Sequence, residues 1–195
     1  MNPYRTNQTP VWVLIGINFL VFIFTSLNSQ LGNNLALSLY YLPSQPWTLI
    51  TSMFVHANFL HIFSNMLALY FLGIFLLQLL GTGKFLLVYF IGGIVGNLVF
   101  LLFANYGIFA GPFDAVVGAS GAIYAIGGAL AVLRPNQRVY LFFAIPMPLW
   151  IAIIVGFLII LPGVAWQAHL GGLAFGALAG WYFRRQYNKR RGLRW

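Results

Sequence analysis

Ser120 and His169 are the two side chains of this sequence whose types, brought together, make a nucleophile and its base. A serine hydroxyl is weak at its free pKa and attacks an acyl group when a neutral imidazole beside it takes the proton. Ser120 stands in GASGAIYAIGGALA and His169 in AHLGGLAFGALAG, strings made of small and apolar residues. A second polar pair stands in HANFLHIFSN, where His61 and Asn65 are four apart and share a face of a helix. They are candidate donors to a developing oxyanion, where losing one donor costs about a hundredfold to a thousandfold in rate. His56 opens the same string and reads as a hydrogen bonder that steadies a loop. Asp114, the only acid, lies upstream of Ser120 in a predicted loop, so a Ser/His dyad is expected and a triad is not. The chain has no cysteine, which excludes a thiolate nucleophile and a Cys-based metal centre.

The elements that must position these residues are membrane helices. Of the 195 residues 61% are hydrophobic and 6% charged, a composition no water-soluble domain of this length has. With roughly 20 apolar residues needed per span, spans are predicted at about 11 to 28, 58 to 80, 85 to 104, 118 to 133, 139 to 160 and 168 to 183, in one domain over 1–195 with a basic tail at 184–195. The first apolar stretch lacks a small-residue cleavage pattern and reads as a retained anchor. Pro146 and Pro148 should kink or loosen the fifth span, making it the most mobile.

Ten Lys and Arg against one acid would fit a nucleic-acid binder, but their placement follows a membrane rule. Arg5, Lys84, Arg134, Arg138 and the string RRQYNKRRGLRW all fall before span 1, between alternate spans, or after span 6. The intervening loops at 29–57, 105–117 and 161–167 hold no Lys or Arg. Cytoplasmic loops carry this excess, so both termini are expected in the cytoplasm, with no nucleic-acid partner. The long loop at 29–57 should lie in the interface and pack on the bundle.

Spans 2, 4 and 6 then run in the same direction, and their outer ends carry His61, Ser120 and His169 at similar depth. Gly121, Ala125 and Ala129 line one face of span 4; Gly172, Gly176 and Gly180 line one face of span 6. Small-residue faces let helix backbones approach closely, which brings Ser120 to His169. Tyr124, one turn inward, is placed to stack on the imidazole. Packing alone would account for a GxSG string, and interhelical hydrogen bonding for His61 with Asn65. Convergence on one side of the membrane is what packing does not require.

The pattern resembles the rhomboid family of intramembrane serine proteases across nearly the whole six-span core. The residues that carry the resemblance are GASG at 118–121, AHLGGLAFG at 168–176 and HANFLHIFSN at 56–65. It implies an all-α rhomboid-like bundle in which Ser120 is the nucleophile, His169 the base, and His61, Asn65 and the Ser120 N–H the oxyanion hole. Gly118 belongs to the same motif, Tyr124 takes the place of the family's aromatic residue against the histidine, and Gly172 and Gly176 match its close-packing glycines. Where many members have Trp followed by Arg in the outer loop, Thr48 follows Trp47 here, and any loop-anchoring role of that arginine is in question. The resemblance implies single-span membrane proteins as substrates, the lipid bilayer as surroundings, and no metal or cofactor. Substrate would enter past span 5 or under the loop at 161–167. The compact core points to a bacterial-type enzyme of the plasma membrane, with an organelle membrane also compatible. A silent binder of membrane helices would share the fold; a transporter lined by His56, His61 and Asn65, or a haem protein using His61 and His169, would not need a serine against the span 6 histidine.

Overall fold

The computed structural model describes residues 7–141, 144–160 and 165–190. Helix α1, Thr9–Leu27, opens with proline in its first turn, where a missing N–H costs nothing. Asn28 ends it and caps the short α2, Ser29–Leu35, by accepting the Leu31 N–H at 3.1 Å. The long loop that follows α1 continues through α3, Thr48–Thr51, and a single 3-10 turn, Ser52–Phe54. It packs on the bundle as expected. Asn97 donates to Leu49 O at 2.9 Å and to Ser52 Oγ at 3.0 Å, Thr51 Oγ1 donates to Leu35 O, and the Trp47 indole donates to Asn34 O. Thr48 is buried and donates its hydroxyl to Gln45 O at 2.6 Å, so the loop is anchored through these bonds without an arginine.

Helix α4, Phe59–Leu80, is capped by Asn58, whose side chain accepts the His61 N–H at 2.9 Å and so fixes His61 in the first turn. A π-helical turn at Leu69–Gly73 interrupts it, a feature common near functional sites. Helix α5 is Thr82–Asn105 and helix α6 is Ser120–Leu133. Helices α1, α4 and α5 are each long and apolar enough to cross a membrane. Large apolar side chains stand outward around the bundle, among them Trp12, Leu20, Phe24, Leu60, Leu98 and Leu102, as a lipid-facing surface requires.

Residues 138–141 and 145–148 correct the sequence reading. They form an antiparallel hairpin of β1, Arg138–Leu141, and β2, Ile145–Pro148, with Val139 opposite Met147 and Tyr140 opposite Pro146. Helix α7 begins only at Leu149 and is described to Ile160. A helix begun at 139 would hold two prolines in its interior, each lacking a donor and colliding with the carbonyl one turn back. Each proline also pushes the residue before it, Ile145 or Met147, into extended backbone. Leu149 N–H donates to Gln137 O at 2.8 Å and closes the hairpin against the helix start.

Helix α8, Trp166–Arg190, starts earlier and runs further than the predicted sixth span. The outer loop at 161–167 and the basic tail lie partly outside the described residues. Helix α6 sits at the centre, buried from Gly121 through Leu130 except at Tyr124. A Cβ on Gly172 would collide with the Gly121 carbonyl, and one on Gly176 with the Ala125 carbonyl, so α6 and α8 meet backbone to backbone. Lipid tails are as apolar as leucine, so this contact is held by close van der Waals packing and not by exclusion of water.

Candidate active site

The contact between α6 and α8 sets the chemistry. Ser120 is the first residue of α6 and His169 lies in the first turn of α8, and their Oγ and Nε2 atoms are 2.7 Å apart. Tyr124 stacks on the imidazole with centroids 4.6 Å apart and planes at 27°. His169 is 4% exposed. An imidazole held by a ring on one face and hydrogen-bonded to a serine is oriented to take that serine's proton. Asp114 is elsewhere, in the loop between α5 and α6, where its carboxylate accepts the Gly111 N–H at 2.7 Å.

His61 and Asn65 stand across from this pair on α4. His61 Nδ1 receives a weak 3.4 Å contact from the Ala57 N–H, which leaves Nε2 as the protonated nitrogen of the neutral ring. That Nε2 faces Gly118: a Cβ there would stand 2.7 Å from it. Gly118 has φ +118°, a conformation L side chains rarely adopt, so glycine is required both for backbone and for space. The Asn65 amide donates one hydrogen to His61 O at 2.8 Å and keeps a second. Its Oδ1 is buried without a partner among the described residues.

His56 serves the backbone. Phe54 O lies 3.2 Å from Nδ1 and Ala119 N–H points at Nε2 from 3.5 Å, and one neutral tautomer, protonated on Nδ1, satisfies both. Its ring meets that of His61 edge to face at 4.9 Å. Burial, and then the nearby charge of His61, push the His56 pKa down to about 4 against the raising effect of the Phe54 carbonyl. The Gly118 N–H donates to Ser52 O at 2.9 Å. The 3-10 turn and His56 therefore hold the two residues before Ser120.

Sequence reasoning passed over Asn97 and Ser52. Asn97, in GGIVGN, is a polar side chain in the middle of an apolar helix, which was signal enough to single it out. Ser52 carried none, since its part depends on which carbonyl faces Gly118. Among the described residues, no three His, Cys, Asp or Glu side chains are grouped to hold a metal ion.

A cavity of about 610 Å³ opens from Ser120 and Asn65, between α4, α6 and α7, and continues past Tyr124 and Gly127 to Val139 on the hairpin. Its walls are mainly apolar, with Ser64, Asn65 and Ser120 at one end and Tyr140 at the hairpin, the usual make-up of a site that binds an apolar ligand with a few placed polar groups.

Fold and site together define a membrane-embedded helical bundle with a histidine hydrogen-bonded to the serine at the head of its central helix. The chain belongs to the rhomboid family: residues 43–186 match the Rhomboid domain. It is a multi-pass membrane protein. It is 33% identical to Rhomboid protein 1, mitochondrial, of Saccharomyces cerevisiae over 93% of its own length and 55% of that protein's. It is 40% identical to RHOMBOID-like protein 1 of Arabidopsis thaliana over 72% of its length and 36% of the relative's. To Rhomboid protease GluP of Bacillus subtilis it is 31% identical over 68% of its length and 25% of the relative's. The chain thus spans about half or less of these relatives. Mitochondrial names stand beside a bacterial one, so the matches do not favour the bacterial plasma membrane expected from the compact core.

Proposed function

We propose that the protein is an intramembrane serine endopeptidase that hydrolyses peptide bonds in or near the membrane helices of other proteins. The observation that carries this reading is the 2.7 Å contact between Ser120 Oγ and His169 Nε2 at the mouth of an apolar cavity. Ser120 Oγ attacks the scissile carbonyl as His169 takes its proton, giving a tetrahedral intermediate. The His61 Nε2–H, the free hydrogen of the Asn65 amide and the Ser120 N–H at the head of α6 stabilise its oxyanion. His169 returns the proton to the leaving amine, an acyl-enzyme forms on Ser120, and water activated by the same imidazole releases it.

In this reading the chain crosses the membrane six times and both termini lie in the cytoplasm. The 14 residues of α6 reach about 21 Å, against roughly 30 Å of hydrocarbon. With its inner end at the inner interface, Ser120 lies roughly 9 Å below the outer one, in a cavity that water reaches from outside. Gly118, Gly121, Gly172 and Gly176 hold the helices at that spacing, while Tyr124 and His56 orient the reacting groups. Substrates are single-span membrane proteins entering between α4 and α7, where the cavity opens. Membership of the family leaves a silent helix binder as the second reading, because some members are inactive; the complete Ser120 and His169 pair favours the enzyme.

The test is cleavage of a single-span substrate with an Ala-containing, easily unwound helix by the detergent-purified protein, beside Ser120→Ala and His169→Ala. Wild type should cut and both variants should fall to background while keeping their thermal transitions. Cleavage that survives in Ser120→Ala overturns the mechanism. A folded wild type that neither cuts nor reacts with a fluorophosphonate leaves the helix binder.

A further inference from the structure

We propose that Val139, on the inward face of the β1–β2 hairpin, sets the depth of the substrate cavity and so the size of the residue accepted on the inner side of the scissile bond. The inference rests on the protease reading above and adds a specificity element to it. Three observations lead there.

First, the cavity follows one face of α6, through Ser120, Ile123, Tyr124 and Gly127, the i, i+3, i+4, i+7 spacing of a single helical stripe. From Ser120 to Gly127 that stripe descends about 10 Å at 1.5 Å per residue. An extended segment rising about 3.3 Å per residue places roughly three residues in it. With the reacting bond at Ser120, the space below it belongs to substrate residues on the inner side of the cut.

Second, the hairpin takes the place of the inner part of the predicted fifth span. Helix α7 is described over 12 residues, about 18 Å, and begins where the hairpin ends. Alternation along the strands sends Val139 and its cross-strand partner Met147 one way and Tyr140 with Pro146 the other. Val139 and Met147 are half-buried, while Tyr140 and Pro146 are exposed. Val139 and Tyr140 both line the cavity at this end, and of the two it is Val139 that is half-buried and packs against the main core, so its side chain forms the floor.

Third, the hairpin is not locked to α6 by interdigitating glycines as α8 is. Gly127 leaves its space to Ile153 of α7, whose Cδ1 would stand 3.2 Å from a Cβ there. The floor is thus a side chain on a two-stranded ribbon, and its size can change without breaking the contact between α6 and α8 that carries the dyad.

The experiment uses the full-length wild type, Val139→Ala and Val139→Phe with single-span substrates carrying Ala, Leu, Phe or Trp at each of the first four positions inward of the cut. Fluorophosphonate labelling of Ser120 counts the active enzyme in each preparation, and the readout is the ratio of kcat/KM for the bulky to the small residue within each variant. At one inward position, about the third, Val139→Phe should lower that ratio roughly tenfold and Val139→Ala should raise it, as expected when a pocket loses or gains the volume of a few methylenes. Ratios that stay at the wild-type value in both variants overturn the proposal, as does an equal loss for every substrate, which marks the hairpin as scaffold. A wild type that neither labels nor cuts removes the protease reading itself, and the proposal with it.

Discussion

The ring of His61 occupies the side-chain space of Gly118: a Cβ on Gly118 would stand 2.7 Å from Nε2 and 2.9 Å from Cε1. Nothing smaller than an imidazole shift can relieve that contact, because the Gly118 N–H is tied to Ser52 O and its φ is +118°. Gly118→Ala should therefore move the proposed oxyanion donor or the backbone leading into Ser120. We expect kcat to fall by about a hundredfold or more, the cost of one lost oxyanion donor. Thermal unfolding beside active-site titration checks this; a variant with wild-type kcat would show that His61 gives way freely and does not donate.

Gly176 makes the corresponding test of packing. A Cβ there would run into the Ala125 carbonyl, a backbone atom that cannot rotate aside, whereas a Cβ on Gly16 in α1 meets nothing within 4 Å. Gly176→Ala is expected to destabilise the bundle by about 1–3 kcal/mol through overpacking. Gly16→Ala should be neutral or stabilising by up to about 1 kcal/mol, because it adds a good helix former at no steric cost. Unfolding in mixed micelles with a graded share of denaturing detergent measures both, and equal effects would refute a backbone contact between α6 and α8.

What made this site legible is that a membrane removes most polar side chains, so those left stand out. Ser120, His169, His61 and Asn65 could be placed together from their positions at helix ends and from the glycine spacing that brings α6 and α8 into contact. The hairpin could not. Residues 139–148 are apolar enough to read as part of a span, and Pro146 and Pro148 signalled a disturbance without saying that the two segments would pair as strands. Gly118 was visible as motif, but that its φ is positive and its missing side chain makes room for His61 depends on the meeting of α4 with the head of α6. The inner floor at Val139 was likewise beyond reach, since it follows from the hairpin. Asn97 stood apart from the cluster at the helix ends, and its role depends on the loop after α1 folding back to bring Leu49 and Ser52 against α5.

Asn97 supplies a third prediction. Its amide is the link from α5 to the outer loop, with one nitrogen donating to Leu49 O and Ser52 Oγ, and Ser52 O in turn receives the Gly118 N–H. Asn97→Leu keeps the volume and strips the donors, leaving two buried acceptors unpaired at about 1–3 kcal/mol. The expected outcome is a lower unfolding midpoint together with slower fluorophosphonate labelling of Ser120 per folded molecule. A purely scaffolding asparagine would lower the midpoint and leave the labelling rate alone.

The pH dependence of stability follows from His56. The ring is 4% exposed, donates from Nδ1 to Phe54 O and accepts at Nε2 from the Ala119 N–H, so a second proton on Nε2 would face a donor inside a buried site. Burial foremost, and His61 after it, push its pKa down to about 4 from the ordinary 6.5. Above pH 6.5 the ring is neutral in folded and unfolded chains alike and costs nothing. As pH falls through 6.5 the unfolded chain binds a proton that the folded one refuses, so stability drops until the folded ring titrates about pH 4, and below that both carry it. The full difference is about 3 kcal/mol at 1.36 kcal/mol per unit. His56→Gln keeps a hydrogen-bonding side chain without the titration. It should be less stable than wild type at pH 7.5 yet lose less stability on acidification, so that the gap between the two narrows or reverses by pH 4.5. His61 and His169 remain in both proteins, so the comparison isolates His56 together with its charge coupling to His61. Parallel stability curves for wild type and variant between pH 7.5 and 4.5 would mean that the folded protein accepts the proton on His56, and that this ring does not pin the backbone at Ala119 as a neutral tautomer.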